Sequence, residues 1–246
     1  MVWYRLDLAY DGTGFAGWAR QPGRRTVEGV LEEALAVALR ERVRLAVAGR
    51  TDAGVHALAQ VASFAARAPV DAGRLLLTLN ALLPPDVAVH GVARAVDGFS
   101  ARAARARTYG YRLWLPTARP VFEARQVWDL RGPVDTGLLG ACARLLVGRR
   151  DFAALTPSAR LYHSCVREVA SASWRDANDG RELRFEITAG SFLHMMVRVA
   201  VGSMVDVAQG RLSLKEFETG LVRGQRRAMG RTAPARGLAL IGVDYG

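Results

Sequence analysis

Residues 43–64 read VRLAVAGRTDAGVHALAQVASF. Val43 to Ala48 has the make-up of a short strand. Gly49-Arg50-Thr51-Asp52-Ala53-Gly54 interrupts it, and Val55 to Phe64 resumes as a second strand. Upstream, Val2 to Leu8 alternates apolar and polar residues with period two, and Asp11-Gly12-Thr13-Gly14 breaks the run. Thr26 is placed to cap a helix whose apolar positions are Val27, Val30, Leu31, Ala34, Leu35 and Ala38. Downstream, Asp71 can cap a second helix through Leu75, Leu79 and Leu82, stopped by Pro84-Pro85, and Val87 to Val92 closes the series. The order is βαββαβ, the ferredoxin-like arrangement.

The second half repeats that order. Thr108 to Leu115 reads as a strand and Val134 to Val147 as a helix. Val166 to Trp174 and Leu183 to Thr188 flank Asn178-Asp179-Gly180, a strong hairpin signal. A long apolar helix over Phe192 to Val207, a shorter one over Ser213 to Val222 and a strand over Leu238 to Val243 complete it. The expected fold class is therefore α/β (α+β). Two ferredoxin-like halves, 1–103 and 104–246, would join into one mainly antiparallel sheet with a central active-site cleft. The junction falls in Phe99 to Arg107, without a low-complexity linker.

Of 246 residues, 50% are hydrophobic and 23% charged, which excludes a wholly disordered or collagen-like chain. The net charge is +11, and all the basic side chains except Lys215 are arginine. Such an excess suits a polyanion, although an anionic membrane attracts it too and arginine richness also follows from a GC-rich genome. The N-terminus does not read as a signal peptide, and no apolar run approaches the ~20 residues of a membrane helix. A soluble cytoplasmic protein without membrane association is the expectation. Cys142 and Cys165 are too few for a disulfide framework, and His56, His90, His163 and His194 lack metal-ligand spacing. With neither GxxxxGK[ST] nor a strand-borne GxGxxG, no metal and no nucleotide cofactor is expected.

Asp52 is the first candidate for chemistry. A carboxylate between two glycines at a strand end can simply bond its own turn amides. It can also act as a nucleophile, given burial and a cationic partner that keeps it ionised. Arg50 can point to the same side of an extended strand. The apolar helix from Phe192 carries Arg198, four residues after His194 and so expected on the same face. That guanidinium needs an anion, unless it pairs with an ordinary structural carboxylate or reaches solvent along its stem. Met195 and Met196 read as core. Arg102, Arg105, Arg107 and Arg112 interleave with Tyr109, Tyr111 and Trp114, a composition suited to single-stranded nucleic acid. Of the two tyrosines, one should be core and one functional. Arg149-Arg150 and Arg223-Gly224-Gln225-Arg226-Arg227 read as solvated surface within reach of phosphates.

Several stretches resemble the TruA family of tRNA pseudouridine synthases. They are Tyr10-Asp11-Gly12-Thr13-Gly14-Phe15, Gly17-Trp18, Gly49 to His56, Leu79-Asn80, Arg107-Thr108-Tyr109, Phe192 to Gly202 and Ala233 to Leu238. They run in order along nearly the whole chain, and RTDAGVH is the most specific. The resemblance implies that Asp52 is the nucleophile and that Arg50 occupies or guides the space left by a flipped nucleotide. It also implies that Tyr109 stacks on the target uracil and that Arg198 ion-pairs with Asp52. His56, Arg102 and Arg107 are expected to help bind the substrate. The implied activity is isomerisation of uridine at positions 38–40 in the anticodon arm of tRNA, by a homodimer without a cofactor. Two departures, Ala19 in place of a glutamine and Met195 in place of a second histidine, touch none of the four central residues.

The chemistry breaks the N1–C1′ bond, turns the freed uracil and rejoins it through C5. An ionised carboxylate can attack C6 of the base, attack C1′ of the sugar, or take a proton in a glycal route. A base within a stem must first be extruded, at a cost of a few kcal/mol. A catalytically silent RNA-binding module would explain the charge and aromatics, but not a carboxylate where phosphates are attracted. An aspartate-dependent glycoside hydrolase normally needs two carboxylates, and the loop offers one.

Overall fold

The computed structural model describes residues 1–116 and 118–246. Among them are ten strands, mainly antiparallel, and five α-helices, a mixed α/β fold. In chain order these are β1 (Val2–Tyr10), α1 (Val27–Leu39), β2 (Ala46–Val47), β3 (His56–Ala66), α2 (Ala72–Leu82), β4 (Val87–Arg94), β5 (Ala106–Trp114) and β6 (Trp128–Asp129). There follow α3 (Thr136–Arg144), β7 (Gly148–Asp151), β8 (Val166–Ala177), β9 (Glu182–Ala189), α4 (Met196–Ala208), α5 (Leu214–Arg223) and β10 (Leu238–Asp244). The chain divides into two compact units, 1–107 with 239–246, and 108–238. No helix among the described residues is long and apolar enough to cross a membrane.

The first unit has the expected βαββαβ order, with strands arranged β4-β1-β3-β10 and β2 paired to β3. Period-two burial along β1 puts Tyr4, Leu6, Leu8 and Tyr10 in the core, and Tyr4 stacks on Phe64 with ring centres 5.4 Å apart. Thr26 accepts the Gly29 N–H at 3.3 Å to start α1, and Asp71 accepts that of Arg74 at 3.0 Å to start α2. β2 is shorter than the sequence suggests. Val43 and Leu45 bury their side chains, but only Ala46 and Val47 pair, opposite Ser63 and Ala62. Farther along β3, His56 and Ala57 pair in parallel with Ala239 and Leu240 of β10. The expected division ran at 103/104 with the last strand in the second half. Here the chain through Arg107 and the last strand group with the first unit. Arg107 is tied to the carbonyls of Ala48 and Arg102, and the Tyr245 hydroxyl donates to that of Ala101.

In the second unit the strands run β5-β9-β8-β7, with β6 beside β5. Four residues, 178–181, join β8 to β9: Asn178, Asp179 and Gly180 take φ of 56°, 56° and 75°, and the Arg181 N–H donates to the Asn178 carbonyl at 3.1 Å. α3 begins at Thr136 because Asp135 caps it through the Leu138 N–H at 3.0 Å. Ser213 and Glu216 form a reciprocal capping box on α5. Glu182, 0% exposed, opens β9 between two guanidinia. Arg112 grips it with Nε at 2.7 Å and Nη2 at 2.9 Å, and Arg184 adds Nε at 2.7 Å. Burial alone would raise this carboxyl, but Arg112 and Arg184 outweigh it and hold it below its ordinary range. Glu182→Gln should therefore lower stability near neutral pH by about 2–3 kcal/mol. A group whose pKa is depressed on folding stabilises above its unfolded value and loses that contribution as pH falls through the folded one. The gap between wild type and variant should thus close in acid, which urea melts at about pH 7 and about pH 3 would reveal.

Candidate active site

Asp52 lies in the segment between β2 and β3, and the sequence around it is fastened from several directions. The Thr51 carbonyl accepts the Trp18 N–H at 3.0 Å, the Phe15 carbonyl accepts that of Gly54 at 3.3 Å, and the Asp52 carbonyl accepts that of Val55 at 3.1 Å. Gly54 supplies the left-handed conformation of the turn, at φ +76°. Gly17, at φ +97°, lets β1's following loop come close, for a Cβ there would stand 2.8 Å from the Thr51 carbonyl oxygen. A side-chain chain supports the turn from below. Tyr10 and Thr51 share a hydroxyl–hydroxyl bond of 2.8 Å, and Gln60 Nε2 donates to the Tyr10 hydroxyl at 3.1 Å and the Gly49 carbonyl at 2.8 Å. Burial pushes the Tyr10 hydroxyl up to about 12, against the pull of Thr51 and Gln60, so it stays protonated. Asp52 itself is half-buried at the end of this scaffold.

The other residues of this unit divide by exposure. Arg50 and Arg102 are exposed. His56 is buried, its Nδ1 accepting the Gly12 N–H at 3.1 Å and lying 3.2 Å from Asp11 Oδ1. Arg107 is buried as well, with Nε on the Ala48 carbonyl and Nη2 on the Arg102 carbonyl, each at 2.8 Å. It thereby binds the junction segment to the residue just ahead of the Asp52 loop.

Tyr109 and Arg198 belong to the second unit. β5 buries Tyr109 and Tyr111 on one face, as the period-two spacing requires, but their surroundings differ. Tyr111 is a core residue, 0% exposed, its hydroxyl donating to the Pro234 carbonyl at 2.7 Å. Burial raises its pKa, while the charges of Arg198 and Arg236 pull it the other way. Tyr109 meets Phe192 edge to face, with ring centres 5.0 Å apart at 84°. The helix carrying Arg198 starts at Met196, four residues later than its apolar pattern suggests, because Met195 adopts the left-handed conformation at φ 60°. Phe192 and His194 consequently precede it, and His194 does not share a helical face with Arg198. The His194 N–H donates to the Tyr162 hydroxyl at 2.8 Å, and its Nδ1 bonds Ser158 Oγ at 2.9 Å.

α4 is buried at every position except Arg198, which is half-buried. Arg198 Nε donates to the Ala233 carbonyl at 3.0 Å, and the Ala233 N–H returns to the Arg198 carbonyl at 2.9 Å. Gly202 permits this contact, since a Cβ there would fall 2.0 Å from the Arg231 carbonyl oxygen. The Ala233 carbonyl thus holds the guanidinium through Nε, while the Ala233 N–H ties the same segment to the helix backbone. Sequence reasoning missed the supporting set Tyr10, Thr51, Gln60 and Ala233. Gln60 within the apolar run Ala57 to Ala66 was a usable signal, because a buried amide must find partners.

The sequence profile described as tRNA pseudouridine synthase matches residues 8–100 and 142–246. Fold and profile together define a class, the isomerases that make pseudouridine in tRNA. Proteins named tRNA pseudouridine synthase A are similar over their length. That of Solidesulfovibrio magneticus is 42% identical over 260 residues, covering 100% of this chain and 92% of the relative. That of Corynebacterium glutamicum is 41% identical over 261 residues, covering 98% and 88%. That of Chloroflexus aurantiacus is 40% identical over 247 residues, covering 98% and 87%. The chain belongs to the TruA family of tRNA pseudouridine synthases.

Proposed function

We propose that this chain converts uridine to pseudouridine at positions 38–40 of the tRNA anticodon stem-loop, in the cytoplasm, as a homodimer. Asp52 is the nucleophile and Arg198 its ion-pair partner. Tyr109 stacks on the uracil, and Arg50 enters the space left by the extruded nucleotide. Arg102 contacts the RNA backbone. His56 and Arg107, both buried and bonded to backbone groups, hold the loop and its neighbours in place.

The observation that carries this reading is the fixed turn of Arg50, Thr51 and Asp52. Neighbouring backbone groups and the Tyr10–Thr51–Gln60 chain hold it, so the carboxylate meets its substrate with little reorganisation. During the reaction the N1–C1′ bond breaks, the uracil turns, a C5–C1′ bond forms, C5 loses its proton and N1 takes one up. An edge-packed Tyr109 gives the detached ring a face to rest on. No oxidation occurs, so the reaction needs no redox partner.

The test is release of tritium from unmodified tRNA carrying 5-tritiated uridine. Release matched by pseudouridine in the nucleoside digest supports the proposal. Binding without release would leave a silent RNA-binding module, and free uracil would indicate glycosidic hydrolysis. The basic surface adds a further expectation: log K for tRNA should fall with log salt by about 0.7–0.9 per phosphate contact, and a flat response in a salt titration would contradict docking through arginines.

A further inference from the structure

Arg223-Gly224-Gln225-Arg226-Arg227 contributes nothing to the chemistry just described. Gly224, at φ +66°, ends α5 and turns the chain back. Arg226 pins this turn, with Nη1 on the Gly230 carbonyl and Nη2 on Thr232 Oγ1, each at 3.0 Å. Arg223 and Arg227 lie on either side of it. Together with Arg211 and Lys215 they line a cavity of about 500 Å³ between α5, the turn and the end of α4.

The carboxylates at this cavity are already engaged. Asp206 accepts Arg211 Nε and Arg231 Nε, both at 2.7 Å, and the Arg231 N–H at 2.9 Å. Glu216 accepts the Ser213 N–H at 2.8 Å, and Lys215 pairs with Glu218 at 3.2 Å. Arg223 and Arg227 are exposed and, among the described residues, have no carboxylate partner. No aromatic side chain lines the cavity, so a nucleobase would have nothing to stack on. Two guanidinium forks beside carboxylates that are already engaged suit phosphate oxygens instead.

We propose that this cavity binds a backbone phosphate of the RNA substrate, apart from the residues assigned to the reacting uridine. The inference rests on the tRNA-modifying reading above. The test compares wild type, the double variant Arg223→Gln/Arg227→Gln, and a charge-matched control at two exposed arginines outside this cavity, Arg42→Gln/Arg44→Gln. Filter binding of unmodified tRNA is measured across a salt series, and tritium release at saturating tRNA. The cavity variant should bind roughly tenfold more weakly at low salt, with a salt slope shallower by about 0.7–0.9 per arginine and an unchanged maximal rate. The control should change less in both binding measures. An unchanged slope, or an equal loss in the control, would overturn the phosphate site while leaving the enzyme reading intact. Wild type that neither binds tRNA nor releases tritium would remove both.

Discussion

Asp52→Asn should retain tRNA affinity and lose pseudouridine formation by about 10⁴-fold or more, the scale seen when the central group of a catalytic set is removed. The change is nearly isosteric. The bonds that shape the turn are made by the backbone of Thr51, Asp52 and Gly54 and by the Thr51 hydroxyl, so the loop should keep its form. What disappears is the anion. An amide cannot attack C6 or C1′, and it cannot accept a proton in a glycal route. Substrate affinity should stay level or rise, because a negative charge has been removed from a surface that attracts phosphates. Single-turnover tritium release and filter binding on the same preparation test both halves. Turnover within tenfold of wild type would remove Asp52 from the chemistry.

Gly12→Ala should have the next largest effect, without altering any group that touches the substrate. A Cβ at residue 12 would lie 2.0 Å from the Val55 carbonyl oxygen and 2.5 Å from its carbon. Both are backbone atoms, and no rotamer relieves the overlap. Val55 closes the Asp52 turn through its N–H, so moving Val55 moves the carboxylate. The Gly12 N–H that donates to His56 would shift as well. A displacement near 1 Å should cost about 100-fold in maximal rate. The overpacking should cost about 1–3 kcal/mol of stability. Gly73→Ala is the matched control, because that position lies in α2 with its nearest outside atom, Asp71 Oδ1, at an ordinary 3.5 Å. There alanine should be neutral or stabilising. A Gly12→Ala enzyme with the wild-type maximal rate would show that the turn tolerates displacement.

Local rules made much of this fold legible. Thr26 and Asp71 start their helices as side-chain caps should, and Asn178-Asp179-Gly180 turns the hairpin between β8 and β9. The alternation of β5 put Tyr109 and Tyr111 on one face, with Tyr111 in the core. The start of α4 was not legible. The apolar spacing continues smoothly from Phe192, and the break is a methionine in the left-handed region, a residue that carries no stop signal. The apolar spacing also overran α3: a helix over Val134 to Val147 was expected, whereas Asp135 caps it and it spans only Thr136–Arg144. The Asp52 loop stood out through its glycines, whereas its support did not. Tyr10 and Gln60 are 50 residues apart in the chain, and only the register of β1 against β3 brings them to Thr51. The choice of β3 as a neighbour for β10 is a tertiary fact of the same kind.

That last pairing has a consequence for how the protein is made. The first unit is discontinuous: its sheet includes residues 239–246, which follow the whole second unit in the chain. The ribosome therefore delivers β1 to β4 early and leaves the edge of β3 at His56 and Ala57 waiting for a strand synthesised after them all. The second unit is continuous and can fold as it emerges, whereas the Asp52 turn, a few residues from that edge, receives its neighbour only when translation reaches β10. A chain released before residue 239 carries Asp52 beside an open strand edge.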